Sequence, residues 1–466
     1  MTVKSLLLAA LVIAAPAAAQ APLRADQVAF RALYKELVET NTSLSAGSCT
    51  LAAERMATRL KAAGYSDSDI TLFATPEKPK EGGLVAILKG SDAKSKPILL
   101  LAHLDVVEAR REDWTRDPFV MVEEDGYFYG RGTLDDKSQA AIWTDTMIRY
   151  KASGKAPKRT LKLALTCGEE TTNAFNGADW LAKNKPQLIA AEYALNEGGG
   201  GRYDSNGKPL GMAVQVGEKT VQNFQLEATN PGGHSSVPRP DNAITDLSRA
   251  IVAVNTHEFA VQFNDTTRAF FGLMAKVTPP QLSTAITTLL ANPADATANA
   301  IVSQDPQYHS TLRTTCVTTL ISAGHANNAL AQRATANVNC RMFPGTAPEA
   351  VRDELAAAIG NPKVAITLTP PIRPVAVSPP LNPAVLGPMK TLAEKHFPGT
   401  LLGLTMSTGA TDAIFLSPIG IPTYGAPGLF IDPDGNGVHG LNERIRVTSL
   451  MAGRDYLDEL VHVLAD

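Results

Sequence analysis

His103 and His439 stand far apart in the chain, and between them Asp135, Glu170 and Glu197 each follow a short apolar run or a glycine-containing turn. Two imidazoles and three carboxylates form the ligand set for two Zn²⁺ ions bridged by one carboxylate, with positions left open for water and substrate. The same donors also admit Co²⁺ or Mn²⁺. His103 lies in LLLAHLDVV, with Asp105 two positions on. Alternation along a strand points both side chains the same way, so one can hold a metal while the other orients it.

Such a constellation needs elements that bring it together. The apolar run at residues 99–107 reads as a strand buried on both faces, and in an open α/β sheet the carboxyl end of such a strand is where ligands bind. Further strands are expected at residues 83–89, 97–101 and 161–165 and from Tyr193, the last two ending in CGEE and NEGG. Asp135 and Asp136 precede a helical segment over residues 138–150, where a lone aspartate would serve equally as a cap. Taken alone, Glu169 and Glu170 would equally suit a solvated loop. Repeated acidic strand ends on one side are costly unless cations hold them together.

The texture changes after Gly217. A strand is expected at residues 220–229, then NPGGHSSVPRP breaks the chain, and a helix follows with Leu247, Ile251 and Val254 on one face. Residues 258–308 read as helical, and strands follow at 312–321 and 333–342. The last alternates strictly, with Arg333, Thr335, Asn337, Asn339 and Arg341 on a wet face. The pattern predicts an α+β domain inserted at residues 218–343 into a catalytic domain made of residues 20–217 and 344–466. Helices over 348–359, 382–396 and 448–464 are assigned to the second catalytic part.

The chain has 466 residues, 44% hydrophobic and 19% charged, with a net charge of −3. This is an ordinary globular composition and carries no electrostatic footprint for nucleic acid. Lys4, the apolar run of residues 6–15, Pro16 and the alanines 17–19 match a secretory signal cleaved near Ala19, and the run is short of the ~20 residues a membrane span requires. A secreted or periplasmic protein without a membrane anchor after signal removal is expected. Of the cysteines, Cys316 and Cys340 lie in neighbouring strand-like segments and are candidates to pair; alternatively Cys49, Cys167, Cys316 and Cys340 are all buried small hydrophobes.

The segments AHLDVV, GRGTLDDK, CGEE, NEGG, NPGGHSSVP and VHGLNERI, in this order between residues 99 and 446, resemble the M20 family of metallopeptidases. That group includes glutamate carboxypeptidase, aminoacylase, carnosinase and succinyl-diaminopimelate desuccinylase. The resemblance implies a mixed-sheet α/β zinc-exopeptidase domain with an inserted lid of the dimerisation type, and two Zn²⁺ per chain. Asp135 would bridge the metals and precede a cis peptide to Asp136, His103 and Glu197 would complete one site, and Glu170 and His439 the other. Some members carry aspartate at the position of Glu197; glutamate here matches the aminoacylase-like ones. Glu169 would be the general base, Asp105 the partner of His103, and His234 the oxyanion donor from the inserted domain. Asn328, with Asn327 as an immediate rival, and Arg341 would bind a free substrate carboxylate, and Gly409 would line the substrate. The long segment 258–308 departs from shorter members, and would enlarge the lid or shape a dimer contact. A homodimer through the lid leaves open whether His234 serves its own active site or a neighbour's.

The expected activity is hydrolysis of an amide in a small peptide or N-acyl amino acid bearing a free carboxylate. A carboxypeptidase is favoured, with an aminoacylase or dipeptidase as the alternative. A non-catalytic binding module is disfavoured because no ligand is missing, and a di-metal phosphoesterase by the match around Glu169.

Overall fold

The computed structural model describes residues 23–171 and 175–466, so the expected signal segment lies outside the described residues. Three parallel strands form its axis: Ile98–His103 runs between Leu161–Thr166 and Tyr193–Asn196, with His103 in register with Thr166. Ile98, Leu100 and Ala102 pack into the core on one side of the sheet, and Leu99 and Leu101 into the core on the other. Burial on both faces is what the unbroken apolar run demands. Antiparallel strands Lys78–Leu88 and Ile70–Thr75 extend one edge, and the sheet grows to ten strands through Thr423–Gly425, Pro209–Glu218 and their neighbours. Helix Lys137–Ala152 covers one face, and the Trp143 indole N–H donates to the Leu101 carbonyl at 3.1 Å. Helix Val447–Ala465 packs beside it, contributing Leu450, Leu457 and Leu460 to the same core.

Thr220–Thr229 and Arg333–Met342 form as expected and pair antiparallel over their whole length. They belong to a four-stranded sheet whose edges are Thr315–Ala323 and Val364–Thr369. The inserted domain therefore does not end near Phe343. Val364–Thr369 pairs with Thr220–Thr229, and helix Pro348–Ile359 adds Val351 and Leu355 to the lid core beside Phe224, Leu247 and Val338. An amphipathic helix shows that it has a buried face but not which core receives it, and here the strand that follows decides.

The long segment within the insertion folds as helices, as expected, and forms its own cluster. Helices Asp265–Val277, Pro280–Ala291, Ala296–Val302 and Pro306–Thr311 build a separate core around Phe271, Ile286, Leu289 and Val302. This cluster docks on the catalytic sheet at strand Leu401–Ser407, where a Cβ on Gly403 would stand 3.1 Å from Leu273. The Thr266 hydroxyl donates to the Val216 carbonyl at 2.7 Å.

Both pairs of cysteines are joined. Cys316–Cys340 links residues directly opposite on adjacent strands, as the sequence allowed. Cys49–Cys167 was not anticipated, because its partners are 118 residues apart and only the packing of helix Cys49–Ala62 against the sheet brings them together. The alternative of four free thiols is excluded. By loop-closure entropy the long link constrains the unfolded chain by about 5 kcal/mol and the short one by about 3 kcal/mol. Replacing Cys49 and Cys167 together by alanine is expected to lower the denaturant midpoint more than the same change at Cys316 and Cys340, measured by urea unfolding.

Candidate metal centre

The three parallel strands deliver their donors to one end: His103 closes the first, Glu169 and Glu170 follow the second, and Glu197 follows the third. Asp135 comes from the turn before helix Lys137–Ala152, joined to Asp136 by a cis peptide as the resemblance implied. His439 arrives on the loop before strand Arg444–Arg446 with φ +56°, a left-handed conformation unusual for a residue with a Cβ. Asp135 stands at the centre. Its Oδ1 lies 3.2 Å from His103 Nε2 and its Oδ2 lies 3.0 Å from His439 Nε2. Glu197 Oε1 is 3.8 Å from His103 Nε2, and Glu170 Oε1 is 2.9 Å from His439 Nε2. All five expected ligands are thus together, divided into two triads that share the two oxygens of one carboxylate. Glu169 joins His103 and Glu197 in a group whose ligand atoms lie within 4.8 Å of one another.

Electrostatics point the same way. Burial pushes the Glu197 and Glu169 carboxyls well above the usual range, with His103 partly offsetting it. Burial opposes a charge on His103, yet Glu197, Asp105 and Asp135 outweigh it and raise its pKa. Hydrogen bonds to Asp135 and Glu170 pull His439 up to about 10. The buried Glu197 Oε1 has no hydrogen-bond partner among the described residues. Divalent cations fit this donor set: His103, Glu197 and Asp135 would hold one, and His439, Glu170 and Asp135 the other. Bound there, they would supply Lewis acidity and make water a nucleophile near neutral pH. Glu169, whose carboxyl burial pushes up, lies beside this set and would be available to accept a proton and give it back.

The supports of these side chains are as specific as the ligands. Asp105 orients His103 through its backbone carbonyl, 3.0 Å from Nδ1, whereas its carboxylate stands 3.6 Å away. That carboxylate accepts instead from the Glu170 and Glu169 backbone N–H groups at 3.0 and 3.3 Å. Sequence reasoning therefore found Asp105 but not its larger task. It missed Glu443 altogether, although the residue lies within the quoted VHGLNERI. Fully buried, Glu443 accepts from Gly132, Leu134 and Asp135 N–H groups at 2.9, 2.8 and 3.1 Å and pairs with Arg131 at 2.8 Å. It clamps the turn that carries the bridging aspartate to the loop that carries His439. A lone glutamate four residues after a histidine signals none of this.

A cleft of about 390 Å³ opens beside the cage, lined by Glu169, Glu170 and His439 on one side and by Arg341 with its neighbours on the other. Gly409 lines it too, as expected. Its loop is fixed by Thr411, whose hydroxyl donates to Glu218 Oε2 at 2.8 Å, and by Asp412, which accepts from Thr166 and Asn176 at 2.8 and 2.7 Å. His234 and Asn328 are not brought to this cleft. They sit on an exposed two-stranded ribbon in which His234 pairs with Ala329 and the Ser235 N–H donates to the Asn328 carbonyl at 3.1 Å.

Fold and site together define a two-domain hydrolase of peptide or amide bonds whose catalytic residues gather at the carboxyl end of a mixed sheet. Residues 99–463 match the model of peptidase family M20/M25/M40, and the chain belongs to that family. It is 26% identical over 401 residues to the N-fatty-acyl-amino acid synthase/hydrolase PM20D1 of Homo sapiens, covering 84% of this chain and 78% of that protein. It is also 26% identical over 387 residues to a probable carboxypeptidase S-like 2 of Dictyostelium discoideum, covering 81% and 73%. The M20 family metallo-carboxypeptidase of Sulfolobus solfataricus shares the fold at TM-score 0.70 and 17% identity, over 95% of this chain and all of that one.

Glu443→Gln weakens three amide contacts and a buried ion pair at once. Metal affinity is expected to fall about 10- to 100-fold, read by chelator competition, with the circular dichroism spectrum retained. Glu218 gives a pH dependence. Burial raises its pKa to about 8 from an ordinary 4.5, so its contribution to stability is complete below pH 4.5 and is lost as pH rises toward 8. Glu218→Gln is expected to remove a slope of up to about 1.4 kcal/mol per pH unit across that window, measured by denaturant unfolding at a series of pH values.

Proposed function

We propose that the protein is an exported di-zinc amidohydrolase that releases an amino acid with a free carboxylate, acting on peptides as a carboxypeptidase. The observation that carries this reading is the pairing of opposites across one cleft. Glu169 and the cage line one wall, and Arg341 lines the other without an ion-pair partner among the described residues. A planar guanidinium held near a hydrolytic centre suits the carboxylate of the amino acid being released. The relatives named for N-fatty-acyl-amino acids and for carboxypeptidase S share that feature of substrate, and the former supports N-acyl amino acids as the second reading.

His234 is assigned to the neighbouring subunit's active site in a homodimer joined through the lid. Its exposure outside its own cleft supports this, as does the exposed lid edge strand Thr315–Ala323, which presents Val317, Leu320 and Ile321 to solvent. Export rests on the segment 1–19. No helix among the described residues is long and apolar enough to cross a membrane.

One set of assays tests these points together. Protein recovered from the exported fraction is expected to begin at Gln20 and to hydrolyse C-terminal peptide bonds in a chelator-sensitive manner. Glu169→Gln is expected to lower kcat by at least about 10²-fold with two metals still bound. His234→Ala alone should be similarly poor, and mixing the two variants should restore part of the activity. Undiminished turnover of Glu169→Gln defeats the base assignment, and absence of restoration defeats the shared site.

A further inference from the structure

The cleft holds a second guanidinium that nothing described so far uses. Arg373 lines the same cavity as Arg341, and among the described residues neither has a carboxylate partner. Their separation follows from the lid sheet. Arg341 lies on the strand paired to one side of Thr220–Thr229, in register with Val221. The chain that leads to Arg373 leaves the strand paired to the other side, where Thr369 is in register with Asn223. Thr220–Thr229 thus lies between the strand of Arg341 and the chain of Arg373, and two long side chains from either side line the one cleft.

Arg373 is also held in place. Its backbone N–H donates to Gln222 Oε1 at 3.2 Å, and its guanidinium carbon lies 5.5 Å from the centre of the Phe415 ring on the catalytic side. Packing over a ring occupies the face of the guanidinium plane and leaves its N–H edges for a ligand. Val221 and Asn223 lie between the two arginines on the wall of the cleft. This wall of the cleft therefore presents two cations across from the acidic cage.

We propose that Arg373 reads a second carboxylate, the side-chain carboxylate of the same amino acid whose α-carboxylate pairs with Arg341. The preferred leaving group is then glutamate or aspartate. This inference rests on the amidohydrolase reading above and names its substrate class. Arg341 stands on the lid and Arg373 on the chain leaving it, held to the lid through Gln222, so both act on the part of the substrate that lies against this wall, and the acyl part is left to the cage side.

The test compares isosteric pairs. Wild-type enzyme is expected to favour N-acetyl-glutamate over N-acetyl-glutamine about 10- to 100-fold in kcat/KM, the difference lying in KM. Arg373→Ala should collapse that ratio toward one, and Arg373→Lys, which keeps the charge without the fork, should retain part of it. Equal use of both substrates by the wild type, or a ratio unchanged by Arg373→Ala, overturns the proposal while leaving the hydrolase reading intact. A ratio that instead shifts for N-succinyl-leucine against N-butanoyl-leucine moves the contact to the acyl side and also overturns it. Calorimetric binding of the two N-acetyl amino acids to metal-loaded Glu169→Gln protein, with and without Arg373→Ala, reads the same preference without turnover. If no amide is hydrolysed but this binding preference persists, the hydrolase reading fails and the anion subsite stands.

Discussion

Concentrating carboxylates is the constraint that shapes this molecule. Glu169, Glu170, Glu197 and Asp135 meet within a few ångströms at the end of a buried parallel sheet, with Asp105, Asp136 and Asp412 directly behind them. Water cannot screen charges at such a depth, so each must be protonated, paired or bound to a cation. The two histidines each face their own oxygen of Asp135. Backbone amides take much of the rest. Asp105 is satisfied by the N–H groups of the Glu169–Glu170 turn, and Glu443 by those around Asp135. The negative groups that do not touch the reaction therefore fix the backbone of those that do, and a single network sets both the charge and the geometry of the centre.

Much of this could be read from the chain. The apolar runs before His103, Cys167 and Asn196 announce strands buried on both faces, and their acidic ends announce a shared ligand site, because strand order and direction put all three ends at one edge. The resemblance then supplied Asp135 and His439, which no periodicity connects to the others. Strict alternation in residues 333–342 likewise fixed both the strand and the face on which Arg341 stands. Periodicity is a local property, and where it was sufficient the expectation and the structure coincide.

What escaped was long-range. Pro348–Ile359 has the pattern of any amphipathic helix, and only the pairing of Val364–Thr369 with Thr220–Thr229 assigns it to the lid. The helical cluster near Phe271 likewise shows a buried face without saying that the catalytic sheet would cover part of it. Cys49 and Cys167 carry no spacing signal, since their contact is created by a helix lying across a sheet. His234 and Asn328 are adjacent in space as their shared ribbon requires, but a ribbon's position relative to a distant cleft is not written in either segment.

The helical cluster has a mechanical consequence. It leaves the lid after the first lid strand and returns before the second, yet it rests on the catalytic sheet at Leu401–Ser407 and is tied there through Thr266 and Leu273. The lid is thereby moored on the far side of the two short crossings at Glu218–Thr220 and beyond Thr369. A free swing about those crossings would shear the mooring. Any opening of the cleft has to be reconciled with this second anchor, which favours small sliding displacements of packed elements over a hinge swing.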